Sequence, residues 1–135
     1  MAYINMDINN HIESYRFADL SYLWAKERLE HEFIIARQLA YAFIKQGLRI
    51  QSQDARWLSG QSGRFVLRRE PCLGYSPTMG QLPVIMRATA FNHLLALSDS
   101  KIEPNFNLLY EEFISRQDFE RWLTQQSITK PHFWF

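Results

Sequence analysis

A chain of 135 residues with 47% hydrophobic and 21% charged side chains is long enough for one buried core and too apolar for a disordered tail. Five Gly and five Pro exclude collagen-like or linker-rich architectures, and the single cysteine, Cys72, excludes an intramolecular disulfide and any all-cysteine metal site. The net charge of +1 names no partner; its distribution along the chain says more than its sum.

The first ten residues hold neither a basic n-region nor an apolar stretch, so a secretory signal is not expected. No apolar run approaches the roughly twenty residues of a membrane span. With its lone thiol, the chain reads as a cytoplasmic protein that does not enter a membrane.

No Gly precedes Gly47 and no Pro precedes Pro71, so residues up to 46 read as helix once an arm over 1–10 ends. Asn10 and Glu13 have the spacing of a capping pair for that helix. Tyr15, Ala18, Tyr22, Ala25, Leu29, Phe33, Ala36, Ala40 and Phe43 recur at intervals of three and four. They mark one face of a long helix or, with a break near residues 26–32, of a helical pair. Ile35, Leu39 and Ala42 add a second apolar row, which makes 33–44 the expected central helix. Gly47 is its expected left-handed cap.

From Leu48 the period changes. Residues 55–58 and 64–69, joined by Ser59-Gly60-Gln61-Ser62-Gly63, read as a hairpin, with 48–50 as a third strand. Residues 71–83 hold three prolines and two glycines and read as a surface loop. Residues 84–86 suggest a short buried strand, and Thr89 the cap of a helix through Phe91 and Leu97. Residues 112–114 look extended. Ser115 and Asp118 have capping-box spacing and open a helix with Phe119, Trp122 and Leu123 on one face. Three aromatic residues then end the chain. Each large side chain gains roughly 1.5–3 kcal/mol on burial, so the tail is expected to dock, with Trp134 near Trp122. The predicted fold is α+β in a single domain over 1–135: an N-terminal long helix or helical pair, a small antiparallel sheet with a basic hairpin, and two shorter C-terminal helices.

Charge divides the chain into thirds. Residues 1–44 and 90–135 each carry a net −2, whereas 45–89 carry +5, with six arginines among seven cations. Arginine is the side chain suited to bidentate recognition of phosphate or carboxylate. Alternation puts Arg64 and Arg68 on the strand face opposite Phe65 and Leu67, with Arg56 beside them. Arg69 falls on the inner face and reaches solvent only at the strand end. Arg56, Arg64, Arg68 and Arg69 are thus the candidate partner-binding residues.

Catalytic and metal signatures are thin. His11-Ile12-Glu13 and Pro71-Cys72-Leu73-Gly74-Tyr75 approach the H-x-E and P-C-x-x-C pair of zinc deaminases. Tyr75 stands where the second thiolate is required, so that site is one ligand short. Glu27 and His31 have the spacing of two ligands on one helix face, without a third. His93 and His132 lie elsewhere, and no nucleotide-binding or hydrolase motif is present. Neither a catalytic residue nor a cofactor is assigned.

Residues 114–123, Ile-Ser-Arg-Gln-Asp-Phe-Glu-Arg-Trp-Leu, followed by Lys130-Pro131-His132-Phe133-Trp134-Phe135, resemble the end of small proteobacterial proteins of phage-derived and other mobile regions. Residues 17–25, Phe-Ala-Asp-Leu-Ser-Tyr-Leu-Trp-Ala, resemble their early helix. The resemblance covers some thirty residues, none in the basic third, and brings no catalytic residues with it. It implies an accessory protein of a mobile element. The expected function is a non-catalytic accessory or regulatory binding protein, presenting its arginine-bearing hairpin to DNA or to an acidic protein surface. The alternatives are a protein-binding inhibitor of a host or phage nuclease complex and, third, a small α+β enzyme with an aromatic-lined pocket.

Overall fold

The computed structural model describes residues 12–52, 72–74, 85–99 and 102–135. A strand, β1 (Ser14–Arg16), leads into helix α1 (Phe17–Arg28), and helix α2 (Glu32–Lys45) follows after a tight turn. Three short strands come next: β2 (Gln51–Ser52), β3 (Cys72–Gly74) and β4 (Ile85–Arg87). Helix α3 (Ala88–Ser98), a 3-10 turn (Phe106–Leu109), strand β5 (Glu112–Ser115) and helix α4 (Arg116–Gln126) complete the order. The α+β expectation holds, with a helical pair at the start.

Helix α2 lies at the centre, and its two apolar rows explain why. Ile35, Ala36, Leu39, Ala40, Ala42, Phe43 and Ile44 are all buried, and both α1 and α3 pack on it. Three alanines in that set let the neighbouring backbones come close. Gly47 takes φ 81°, a conformation in which a Cβ is penalised, and the following Leu48 N–H returns to the Ala42 carbonyl at 3.1 Å.

Between α1 and α2 the chain turns at Leu29, which has φ 56° and ψ 43°. The Glu30 N–H bonds back to the Ala25 carbonyl, closing α1 as a glycine cap would. His31 then caps α2, its Nδ1 accepting the Phe33 N–H.

The sheet is antiparallel in the order β1-β5-β2, with β3 and β4 forming a separate pair. Tyr15 lies opposite Ile114, and Gln51 opposite Phe113. This corrects the reading of the first segment: Glu13 precedes a strand, Tyr15 belongs to that strand, and α1 starts only after the extended Arg16. The third strand is displaced from 48–50 to Gln51–Ser52, although Leu48 and Ile50 are buried as core residues. Cys72–Gly74, read as loop, is a strand that faces β4. Helix α3 begins at Ala88, ahead of Thr89, directly from the extended Arg87. The strand corrections concern short stretches whose ladder partners lie elsewhere in the sequence, where local propensity decides little.

The aromatic excess forms the other half of the core. Trp24 meets Phe119 and Trp122 edge-on, with ring centres 5.2 and 6.1 Å apart. Trp134 is fully buried and stacks on Phe119 at 5.6 Å, one ring away from Trp122. The tail docks as expected. Ser115 caps α4 by accepting the Asp118 N–H at 3.0 Å.

Candidate functional site

The four predicted partner-binding arginines, Arg56, Arg64, Arg68 and Arg69, lie outside the described residues, as does the hairpin that would carry them. The residues that flank them are described, and they converge. Ser52, the last residue of β2, accepts the backbone N–H of Arg87 on its hydroxyl at 2.9 Å. Cys72, the first residue of β3, lies opposite the same Arg87 in the ladder. The chain therefore leaves for residues 53–71 and returns from them at one place, against one arginine.

That arginine is itself immobilised. Its guanidinium meets Glu112 of the central strand in a bidentate pair, Nη2 to Oε1 at 2.6 Å and Nε to Oε2 at 3.1 Å. Nη2 also donates to the Leu108 carbonyl at 2.8 Å, and the Ser52 hydroxyl donates to Glu112 Oε2. The side chains of Arg87 and Glu112 are 3% and 0% exposed, so no water offsets their desolvation. The fork geometry and the added hydrogen bonds do so instead. Such a pair adds little net stability over apolar packing, but either charge alone would be costly to bury. Its effect is positional: it ties β4 of the two-stranded pair to β2 and β5 of the three-stranded sheet.

The outer face of this clamp is aromatic. The Arg87 guanidinium lies 4.0 Å from the centre of the Tyr110 ring, and Tyr110 is 52% exposed. Arg16 sits beside it, its Nε donating to the Tyr110 carbonyl at 2.8 Å while its guanidinium covers Phe113 at 5.4 Å. Sequence reasoning assigned Arg87 to the basic stretch and gave Ser52, Tyr110 and Glu112 no role. A signal was present: Glu112 heads an apolar strand, and a carboxylate buried there requires a cation from elsewhere.

A concavity of about 340 Å³ opens between the end of α1 and the tail, with Trp24, Glu27, Arg28, Lys130 and His132 in its lining. Its charges are already engaged. The Glu27 carboxylate accepts the backbone N–H groups of His132 and Phe133, each at 2.9 Å. Arg28 pairs with Glu30, and Lys130 with Glu120, whose carboxyl is held below its usual pKa chiefly by the Lys130 hydrogen bond.

His31 and His93 have structural tasks. Glu27 and His31 fall on either side of the helix break, so they do not share one helix face, which corrects that expectation. His93 is buried in α3, its Nε2 accepting the Asn105 N–H at 2.9 Å, and burial pushes its pKa below the ordinary value. Among the described residues, no three His, Cys, Asp or Glu side chains gather where a metal ion could be held. Nor is any helix among them long and apolar enough to cross a membrane. No protein-family model matches the chain, and no curated protein or solved structure matches it either.

Proposed function

We propose that the chain is a non-catalytic binding protein that offers its arginine-bearing segment, Arg56, Arg64, Arg68 and Arg69, to an anionic macromolecule. The observation that carries this reading is the convergence of Ser52 and Cys72 on Arg87. Ser52 and Cys72, which bracket Arg56, Arg64, Arg68 and Arg69 in the sequence, both lie against one fully bonded ion pair. Holding recognition residues on a rigid base reduces the ordering cost of binding. The flanking thirds of the chain are acidic, and the span between Ser52 and Cys72 sets four arginines against Asp54 and Glu70.

The likeness to small mobile-element proteins supports an accessory or regulatory role in that setting. The residues that carry the likeness include Leu20, Trp24, Phe119, Trp122, Leu123 and Trp134, all buried. Such positions speak to a shared core rather than to a shared partner.

The test is the double substitution Arg64→Ala, Arg68→Ala. Folding stability should change by no more than about 0.5 kcal/mol, as for surface positions. Affinity for the partner captured by the wild-type protein should fall at low salt, by an amount that shrinks as salt rises. Undiminished affinity at low salt would remove the basic segment from the binding surface. Nuclease treatment of the captured material separates a nucleic acid from an acidic protein.

A further inference from the structure

Helix α2 is central to the core, yet one stripe of it is left open to solvent. Its buried rows face inward, and what remains is Ile34, Gln38, Tyr41 and Lys45, spaced by four, three and four. The outward stripe of such a helix is ordinarily charged or polar. Here Ile34 is 52% exposed and Tyr41 46%, one heptad apart and therefore on the same side. Arg37, next to Gln38, sends its Nη2 to the Ile102 carbonyl at 3.2 Å, which brings a third exposed apolar residue to the edge of the stripe. Gln38 is engaged as well, its Oε1 accepting from Arg28 of α1 at 3.1 Å. The two polar side chains in the middle are thus bonded within the chain, while the apolar ones to either side stay half exposed.

The two ends of the stripe differ in charge. Glu30 and Glu32 stand at the N-terminal end of α2, and the exposed Lys45 stands at its C-terminal end. Glu30 meets Arg28 through one carboxylate oxygen, at 3.5 Å and on the surface, so the other oxygen can take a second cation. An apolar middle with opposite charges at its ends complements itself when one copy is turned end for end. A dyad between Arg37 and Gln38 sets Ile34 against the partner's Tyr41 and Lys45 within reach of the partner's Glu30. Two-fold symmetry makes each of these contacts twice. The same arrangement lays the positive end of each helix dipole beside the negative end of the other. Parallel copies would instead set Lys45 against Lys45 and Glu30 against Glu30.

We infer that the open stripe of α2 is a dimer surface whose occupant is the same helix of a second copy, packed antiparallel. Fourteen residues make a helix about 21 Å long, too short to bury the roughly 1,200 Å² of a stable interface. The dimer is therefore weak and reversible, micromolar or weaker. The basic segment plays no part in it, so a failure here leaves the proposed binding function untouched.

The experiment is sedimentation velocity at low salt, from about 1 µM to about 500 µM protein, the range in which so small an interface associates. Wild type is compared with Ile34→Asp, Tyr41→Asp, Glu30→Lys, Lys45→Glu and the Glu30→Lys, Lys45→Glu double variant. Thermal melts at the lowest concentration should agree with wild type within a few degrees, because every substituted position is exposed.

The average mass of the wild type should climb from monomer toward dimer across the range. Ile34→Asp and Tyr41→Asp should each weaken association more than about tenfold, since each puts two unpaired carboxylates into the contact. Either charge reversal alone should weaken it roughly two- to thirtyfold, the change for losing two exposed ion pairs at once. Combining the reversals should restore wild-type affinity, because the exchanged ends again oppose each other. A monomer at every concentration would overturn the inference and leave the stripe to a different occupant. A dimer indifferent to both aspartate variants would place the contact elsewhere and overturn it too. A double variant no tighter than either reversal alone would overturn the antiparallel pairing on which it stands.

Discussion

A buried guanidinium is tolerated only when its charge and its donors are matched, and Arg87 shows how much structure follows from that requirement. It draws Glu112 from β5, the Leu108 carbonyl and the Ser52 hydroxyl to one point. In the sequence Arg87 is one of seven cations in the basic third, and nothing local separates it from Arg64 or Arg68. The partner that turns it inward lies 25 positions away, so its role was not legible from spacing. His93 was legible only as a histidine in an apolar helix. Its environment now gives it a pH dependence. Burial lowers its pKa, and its Nε2 must stay unprotonated to accept from Asn105. Between its unfolded value, about 6.5, and its lower folded value, the unfolded chain takes up a proton that the native state refuses. Stability should therefore be flat in this respect above about pH 6.5, fall as the pH drops below it, and level off beneath the folded pKa. Urea midpoints from about pH 7.5 to about pH 5 check this, with His93→Gln as the non-titrating comparison. Equal slopes in the two proteins would assign the pH dependence to other groups.

Among the elements, those fixed by local chemistry were readable and those fixed by distant pairing were not. The double apolar row of α2, the glycine beyond its end and the Ser115 cap of α4 each appear where the residues put them. Strands β1 and β3 are three residues long and owe their conformation to β5 and β4. The break between α1 and α2 was ambiguous for a different reason: the residue in the left-handed conformation is a leucine. Leu29 has φ 56° and is 92% exposed, so it carries the steric penalty of a Cβ in that region without burial to offset it. The penalty is roughly 1–2 kcal/mol for an L-residue, part of which glycine gives back through the greater freedom of its unfolded chain. Leu29→Gly should raise the unfolding free energy by up to about 1 kcal/mol, while Leu29→Ala, which retains the Cβ, should leave it nearly unchanged. Denaturant titration of the two variants side by side decides the matter. A glycine variant less stable than the alanine variant would show that the turn is not strained.

At the scale of the whole molecule, the last five residues join parts of the chain that are otherwise far apart. The Trp134 indole N–H donates to the Ile12 carbonyl at 2.8 Å, ahead of β1. Its own carbonyl accepts from Arg116 at the start of α4, and its ring lies 4.7 Å from Tyr15 in β1. The Glu27 carboxylate near the end of α1 takes the two preceding backbone N–H groups. Phe135 lies under the Arg116 guanidinium at 4.4 Å. The sequence announced that so many aromatics needed burial, and Phe119 is the ring that receives them. What spacing could not reveal is that the tail closes over the β1–α1 edge, because Ile12 and Glu27 carry no mark of that contact. Removing residues 131–135 exposes Phe119 and Tyr15, strands the Glu27 carboxylate and deletes a fully buried tryptophan. The expected cost is about 2–5 kcal/mol, the range for truncating a large core side chain. Trp134→Ala alone should account for most of it, since the indole supplies the buried area. Glu27→Ala should cost less, since its two hydrogen bonds are at the surface. Thermal melts of the three proteins provide the comparison. If the truncated protein melts with the wild type yet loses its partner, the tail is a binding element, and the edge it covers is stable without it.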